Sequence, residues 1–294
     1  MNTTRLAQRA SSLRISAISL AENMRNGSFK SLYRGQGIEF SDVRDYLPGD
    51  AVRSIDWNVT ARMGRAFIKQ YEEDRELSVF LILDCSRSMG LGSSQTRLSA
   101  AQEASALLLL ATEHNAGAIG AVFFDGKIQF ACAPKSGREN TMTILSKLDK
   151  IDTRPESEIA NGSVLPNAIT GAAKLLKKRS LVFILSDFRS SHWEKPFATL
   201  AQKHDVVAVR ITSPNDSELP NMGTVPFYDT ESNQKSVFPT FSKRFKSEWR
   251  EANQKRIDYW KEFCTKHGGF PLILSTEEDA VTCLQRFFKQ RARF

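Results

Sequence analysis

The stretch VFLILDCSRSMG, Val79 to Gly90, decides the fold. It opens as a continuous apolar run of strand length and ends in oxygen. So short and unbroken a run fits a central strand covered on both faces, as in a parallel sheet. Asp84, Ser86 and Ser88 then alternate along the chain. In an extended turn, positions i, i+2 and i+4 aim at one point. All three offer oxygen and none offers nitrogen or sulfur. The fitting guest is a hard divalent cation: Mg2+, Mn2+ or Ca2+. The competing reading is structural, with Asp84 and the serines capping the next helix and satisfying loop backbone groups.

The same strand signal recurs in LVFILSDF (181–188), DVVAVRIT (205–212) and FPLILS (270–275). Helical segments fall between and around them. One runs from a Thr96 N-cap to about His114. Others are ENTMTILSKLDKI (139–151), VLPNAITGAAKLLKKR (164–179, Pro166 in its first turn) and WEKPFATLAQKH (193–204). A long helix covers Lys243 to Lys266, and a final one EEDAVTCLQRFFKQRARF (277–294). AIGAVFFD and KIQFACA are strands joined at Asp125-Gly126, a hairpin dipeptide. Residues 213–239 read as loop with a hairpin. Alternating buried strands and helices predict an α/β, Rossmann-like, mostly parallel sheet with helices on both faces and one antiparallel edge strand. In such sheets ligands gather at the carboxyl ends of the strands. Asp187 closes its buried run as Asp84 does. If the two strands are neighbours, their carboxylates face one crevice, and a divalent ion removes their mutual repulsion.

The chain has 294 residues, 41% hydrophobic, with a net charge of +8. The charge sits at the ends. Residues 1–36 carry Arg5, Arg9, Arg14, Arg25, Lys30 and Arg34 against Glu22 alone, and the last eleven residues hold four basic side chains and no acid. Basic ends can touch nucleic acid or an anionic membrane surface, or simply solubilise terminal helices. The longest apolar run, ALLLLA (106–111), is far short of the ~20 residues that span a bilayer. With no secretory signal at the start and four scattered cysteines, the expected location is cytoplasmic. Leu6, Ala10, Leu13, Ala17, Leu20 and Met24 recur at helical spacing and predict an amphipathic N-terminal helix. Residues 28–76, rich in Gly, charge and aromatic rings, read as short strands and turns. Tyr33, Phe40, Tyr46, Trp57, Phe67 and Tyr71 are too many large rings to leave in water. Their interleaved Arg and Asp residues read as a structural ion-pair network. The expected organisation is 1–76, helix plus aromatic-rich β segment, and 77–294, the main domain.

The Asp-x-Ser-x-Ser run at Asp84, Ser86 and Ser88 resembles the opening of the metal-ion-dependent adhesion site of von Willebrand A-like domains. Those domains add a Thr before a later helix in a Gly-Gly-Thr-x-Leu setting. Here NGSVLPNAI (161–169) stands in that place, with Asn161 for the first glycine and Ser163 for the Thr. The resemblance makes Asp187 the remaining acid. Upstream, YRGQGIEFSDVRDYLPGDAVRSIDWNVTARMGRAFIKQYEEDRE (33–76) resembles the signature of a bacterial family of unknown function, DUF58-like, in which it precedes such a domain. Members are commonly encoded beside MoxR-type AAA+ ATPases.

The resemblance implies a non-enzymatic docking module. A divalent cation, Mg2+ first, would be held by Asp84, Ser86, Ser88, Ser163 and Asp187. A partner, a MoxR-type ATPase or its client protein, would supply an acidic residue. The alternatives are a metal-dependent hydrolase, and nucleic-acid or peripheral membrane binding through the basic ends. Against enzymes, there is no second Asp two residues after Asp84, no Gly-x-Ser-x-Gly elbow and no Gly-Lys-Ser/Thr phosphate loop.

Overall fold

The structure, a computed structural model, describes residues 16–24, 39–47, 49–72, 77–90, 96–151, 159, 162–219, 223–228 and 235–291. It divides into two units: Ser28–Glu76, and Met1–Gly27 together with Leu77–Phe294. Helix α1 occupies residues 16–24 of the larger unit. Ala17, Leu20, Ala21 and Met24 are buried there. Asn115 Nδ2 donates to the Ala21 carbonyl at 3.0 Å, and Gln285 Nε2 to Ser19 Oγ at 3.1 Å. Leu6, Ala10 and Leu13 lie outside the described residues.

In the smaller unit, β1 (Glu39–Asp45) pairs antiparallel with β2 (Phe67–Glu72). Between them stands a short helix, α2 (Trp57–Met63), where the sequence suggested only strands and turns. Asp56 starts it, its carboxylate accepting from the amides of Asn58 and Val59, and Gly64 ends it at φ 73°. Trp57 is 66% exposed, contrary to the expected burial of the rings, because none of the seven α2 residues is buried. Phe67 is buried. Tyr33 and the side chains of Phe40 and Tyr71 lie outside the described residues. Arg44 pairs with Asp50 through two hydrogen bonds of 2.8 and 2.9 Å, and the Leu47 amide donates to the same carboxylate.

The larger unit continues through β3 (Ser78–Asp84), α3 (Arg97–His114), β4 (Ala118–Phe124), β5 (Ile128–Lys135), α4 (Arg138–Ile151), α5 (Leu165–Leu175) and β6 (Leu181–Ser186). Then come α6 (Glu194–Ala201), β7 (Asp205–Thr212), β8 (Thr224–Tyr228), β9 (Lys235–Pro239), α7 (Lys243–Lys266), β10 (Phe270–Ser275) and α8 (Ala280–Arg291). Strands β8 and β9 form a separate antiparallel ribbon. The other six make one sheet in the order β10-β7-β6-β3-β4-β5. All its pairings are parallel except β4 with β5, the antiparallel edge expected from Asp125-Gly126.

Both faces of the sheet are covered. Phe80 and Ile82 of β3, Val182 and Ile184 of β6, and Val206 and Ala208 of β7 form one core with α5, α6 and α7. The alternate residues face the other way: Phe183 meets Phe288 of α8 with ring centroids 6.3 Å apart. Each fully buried large apolar side chain is worth roughly 1.5–3 kcal/mol of burial. No helix among the described residues is long and apolar enough to cross a membrane.

Gly120 of β4 packs tightly against β3 and β5. A Cβ there would lie 2.7 Å from the Phe80 ring and 2.8 Å from the Pro134 backbone nitrogen. Gly120→Ala is expected to lower stability by about 1–3 kcal/mol, the usual range for overpacking a core. A urea titration of the two proteins checks it, and an unchanged midpoint would refute the close packing.

Candidate functional site

Strand order reverses between β3 and β6. The chain leaves β3 for β4 on one side and later adds β6 on the other. The crevice outside the carboxyl ends of these two strands is where open α/β sheets bind ligands. Alternation explains what points into it. The buried row Phe80, Ile82 continues into Asp84, and the row Val182, Ile184 continues into Ser186. Leu83 pairs with Leu185, so one step further Asp84 and Ser186 stand abreast.

Asp84 is buried at 1% exposure and gathers the hydroxyls around itself. Its Oδ1 accepts from the Ser86 amide at 2.9 Å. Its Oδ2 accepts from Ser186 Oγ at 2.7 Å and, at the long limit of 3.4 Å, from Ser163 Oγ on the loop before α5. Ser86 Oγ and Ser88 Oγ are 3.1 Å apart. Asp187 is also buried. Its Oδ1 accepts from the Arg189 amide at 3.1 Å. Its Oδ2 is sealed from solvent with no hydrogen-bond partner, 3.7 Å from Arg189 Nε. The structure thus links Asp84, Ser86, Ser88 and Ser163 directly or in a chain of contacts and sets Asp187 on the neighbouring strand end. Asn161 lies outside the described residues.

Burial pushes the Asp84 carboxyl up to about 7, and the charge of Asp187 adds to the rise, while hydrogen bonds from Ser186 and Ser86 oppose it. The pocket is rich in oxygen, with Arg189 as the cation beside Asp187. A sealed carboxylate oxygen without a donor is what a hard cation completes, so the residues present fit a divalent ion. The donor set is mostly hydroxyl: no group of three or more His, Cys, Asp or Glu gathers among the described residues.

Sequence reasoning missed several members of this region. Ser186 makes the shortest contact to Asp84. Its signal was its place directly before Asp187 at the strand end. Asp216 was also missed. Its Oδ1 accepts from both Arg97 Nη2 and Arg189 Nη2, at 2.5 and 2.6 Å. Arg97 Nη1 donates onward to the Ser88 carbonyl at 3.0 Å, which ties the serine loop to α3. The signal was an Arg in the first turn of a helix, the end where a cation is disfavoured. Phe188 holds a left-handed φ of 52°, a conformation costing on the order of 1–3 kcal/mol in a bulky residue. Its amide donates to Ser186 Oγ, and its ring packs on Trp193 and Trp260 at 5.2 and 5.5 Å. These contacts hold the loop that presents Asp187.

The model of a family described as "Protein of unknown function DUF58" matches residues 42–258, and the chain belongs to that family. The resemblance read from the sequence is thereby confirmed. Among relatives, Uncharacterized protein Rv1480 of Mycobacterium tuberculosis is 29% identical over 296 residues, covering 98% of this chain and 90% of its own. Uncharacterized protein MAV169 of Mycobacterium avium is 28% identical over 162 residues, 54% of this chain and 92% of its own. Among solved structures, an aerotolerance-related membrane protein from Bacteroides fragilis is similar with TM-score 0.48 and 17% identity, over 74% of this chain and 98% of that one. The SpRpn10 VWA domain is similar with TM-score 0.40 and 11% identity, over 71% of this chain and 94% of that one.

The buried carboxyl makes stability depend on pH in a definite direction. The folded protein keeps the Asp84 proton up to about pH 7, whereas the unfolded chain releases it near 3.8. The contribution is present in full below the unfolded value and lost as pH rises through the folded one. In EDTA, Asp84→Asn is therefore expected to gain stability relative to the native protein between pH 4 and pH 8, by up to about 4 kcal/mol. Urea titrations across that range measure the gap. A gap independent of pH would contradict the buried carboxyl.

Proposed function

We propose that this DUF58 chain is a protein-docking module without catalytic activity of its own. Its pocket at the ends of β3 and β6 holds a divalent cation, Mg2+ foremost, to which a partner protein adds an acidic residue. One observation carries this reading: the hydroxyls of Ser163 and Ser186 reach Asp84, Ser86 and Ser88 stand beside it with hydroxyls 3.1 Å apart, and the neighbouring Asp187 keeps a sealed oxygen with no hydrogen-bond donor, Arg189 Nε lying 3.7 Å away.

Each residue has a part. Asp84 and Asp187 supply the negative charge, and Ser86, Ser88 and Ser163 supply neutral oxygen. Ser186 holds Asp84 in place through its 2.7 Å bond and so orients the pocket from behind. The neutral hydroxyls add no charge, so the two carboxylates at most balance a divalent ion, and an incoming carboxylate would fill an open coordination position.

The partner favoured by the sequence resemblance is a MoxR-type AAA+ ATPase or the client it works on, in the cytoplasm. This chain has no phosphate loop, so nucleotide turnover would belong to the partner.

Isothermal titration with MgCl2 is expected to show one site, lost in Asp84→Ala and weakened about tenfold or more in Ser163→Ala. Pull-down of a MoxR-type ATPase from the same organism is expected to succeed with Mg2+ and fail with EDTA or Asp84→Ala. Equal recovery in every lane, with no heat of Mg2+ binding, would refute metal-bridged docking.

A further inference from the structure

The side-chain row that ends in Asp84 and Ser186 extends one strand further. Ser186 of β6 pairs with Arg210 of β7, and Arg210 continues the buried row Val206, Ala208. Asp84, Ser186 and Arg210 therefore stand side by side across three adjacent strands, on one face, at the same sheet end. Two strand spacings put the Arg210 backbone about 10 Å from that of Asp84.

Arg210 is unusual. It is 5% exposed and lies over the Trp260 ring at 5.7 Å, yet it makes no ion pair or hydrogen bond among the described residues. Its nitrogens are not sealed from solvent, unlike Asp187 Oδ2. Burying a guanidinium without a counter-charge is costly. Burial lowers its pKa; the charge of Asp187 opposes that most strongly, Arg189 and Arg256 lower it further and Asp216 opposes, so three arginines share the field of two aspartates. Arg256, exposed on α7, also has no ion pair. Arg189 leans on Asp216 and Asp187, and Asp216 is shared with Arg97. Four arginines thus share two aspartates, and Arg210 and Arg256 make no ion pair with either among the described residues.

We propose that Arg210 and Arg256 form an anion-binding rim beside the Asp84 pocket, and that its occupant is an acidic segment of the docking partner. The segment would place one carboxylate in the pocket and a second on the rim. This rests on the docking reading above and deepens it, from a single acidic residue to a short acidic stretch. Carboxylates two or three residues apart in extended chain are about 7–10 Å apart, which matches the spacing across the strands. The planar guanidinium of Arg210, already stacked on an aromatic face, presents its donor edge to such a group.

The test uses the full chain and fluorescence anisotropy with a labelled oligoglutamate peptide, oligoglutamine as its neutral counterpart, and inorganic phosphate as competitor. Oligoglutamate is expected to bind and oligoglutamine not. Arg256→Gln and Arg210→Gln should each weaken oligoglutamate about tenfold, with Mg2+ and with EDTA, and Arg256→Gln should leave Mg2+ affinity unchanged. Arg256 is exposed, so its variant keeps the test valid if the Arg210 variant fails to fold. Binding that EDTA abolishes but Arg256→Gln leaves untouched would overturn the rim and spare metal docking. Arg256-dependent binding that ignores EDTA would support the rim and sink the metal bridge. Displacement by phosphate at matched charge would make the rim a small-anion site and overturn the acidic-segment assignment.

Discussion

A carboxylate buried at the end of a central strand is the constraint around which this end of the sheet is arranged. Asp84 sits where β3 runs out of apolar residues, on the same face as Phe80 and Ile82. Removing a charge from water without a partner is costly enough that the group gives up its charge or gathers donors. Here it does both in part. Burial favours the protonated form, while Ser186, Ser163 and the Ser86 amide converge on the two oxygens. Every donor comes from a different turn of the chain, so the fold must be complete before the group is satisfied.

The neighbouring segments answer the same electrostatic problem with fixed cations. Arg97 and Arg189 meet on Asp216, and Arg97 reaches back to the Ser88 carbonyl. The serine loop, the start of α3, the loop after β6 and the turn after β7 are thereby joined in one polar network. Such a network in a partly dry place is strong when satisfied and costly where it is not. Arg97 Nε is sealed without a hydrogen-bond partner, and two further groups stand out: the sealed oxygen of Asp187, with no donor, and the guanidinium of Arg210, with no acceptor. They are opposite in sign and stand on adjacent strands. Each lies in the electrostatic field of the other.

Rigid support underlies this polar end. The sheet is covered on both faces, and the aromatic cluster of Phe188, Trp193, Phe197 and Trp260 pins the loop after β6 from below. The left-handed φ of Phe188 persists because its ring has nowhere else to pack. Site residues thus stand on strand ends and short, pinned turns.

Much of this was legible in the chain itself. Apolar runs from Val79, Leu181 and Val206, separated by helical segments, called for a parallel sheet, and Asp125-Gly126 marked its antiparallel edge. Asp84, Ser86 and Ser88 stood out because three oxygens closed an apolar strand. Local periodicity and turn chemistry carry such information, since they act between residues a few positions apart. The helix at Trp57 escaped because a seven-residue element capped by one Asp leaves little periodicity to read. Ser186, Asp216 and the bare guanidinium of Arg210 belong to another class. Their roles come from register between strands more than 20 residues apart in sequence, and from which buried charges come close enough to pair. The sequence alone determined which elements form and which strand end holds oxygen. Only the tertiary structure decided which side chains stand abreast there, because desolvation and Coulomb energy depend on distances that no local pattern encodes.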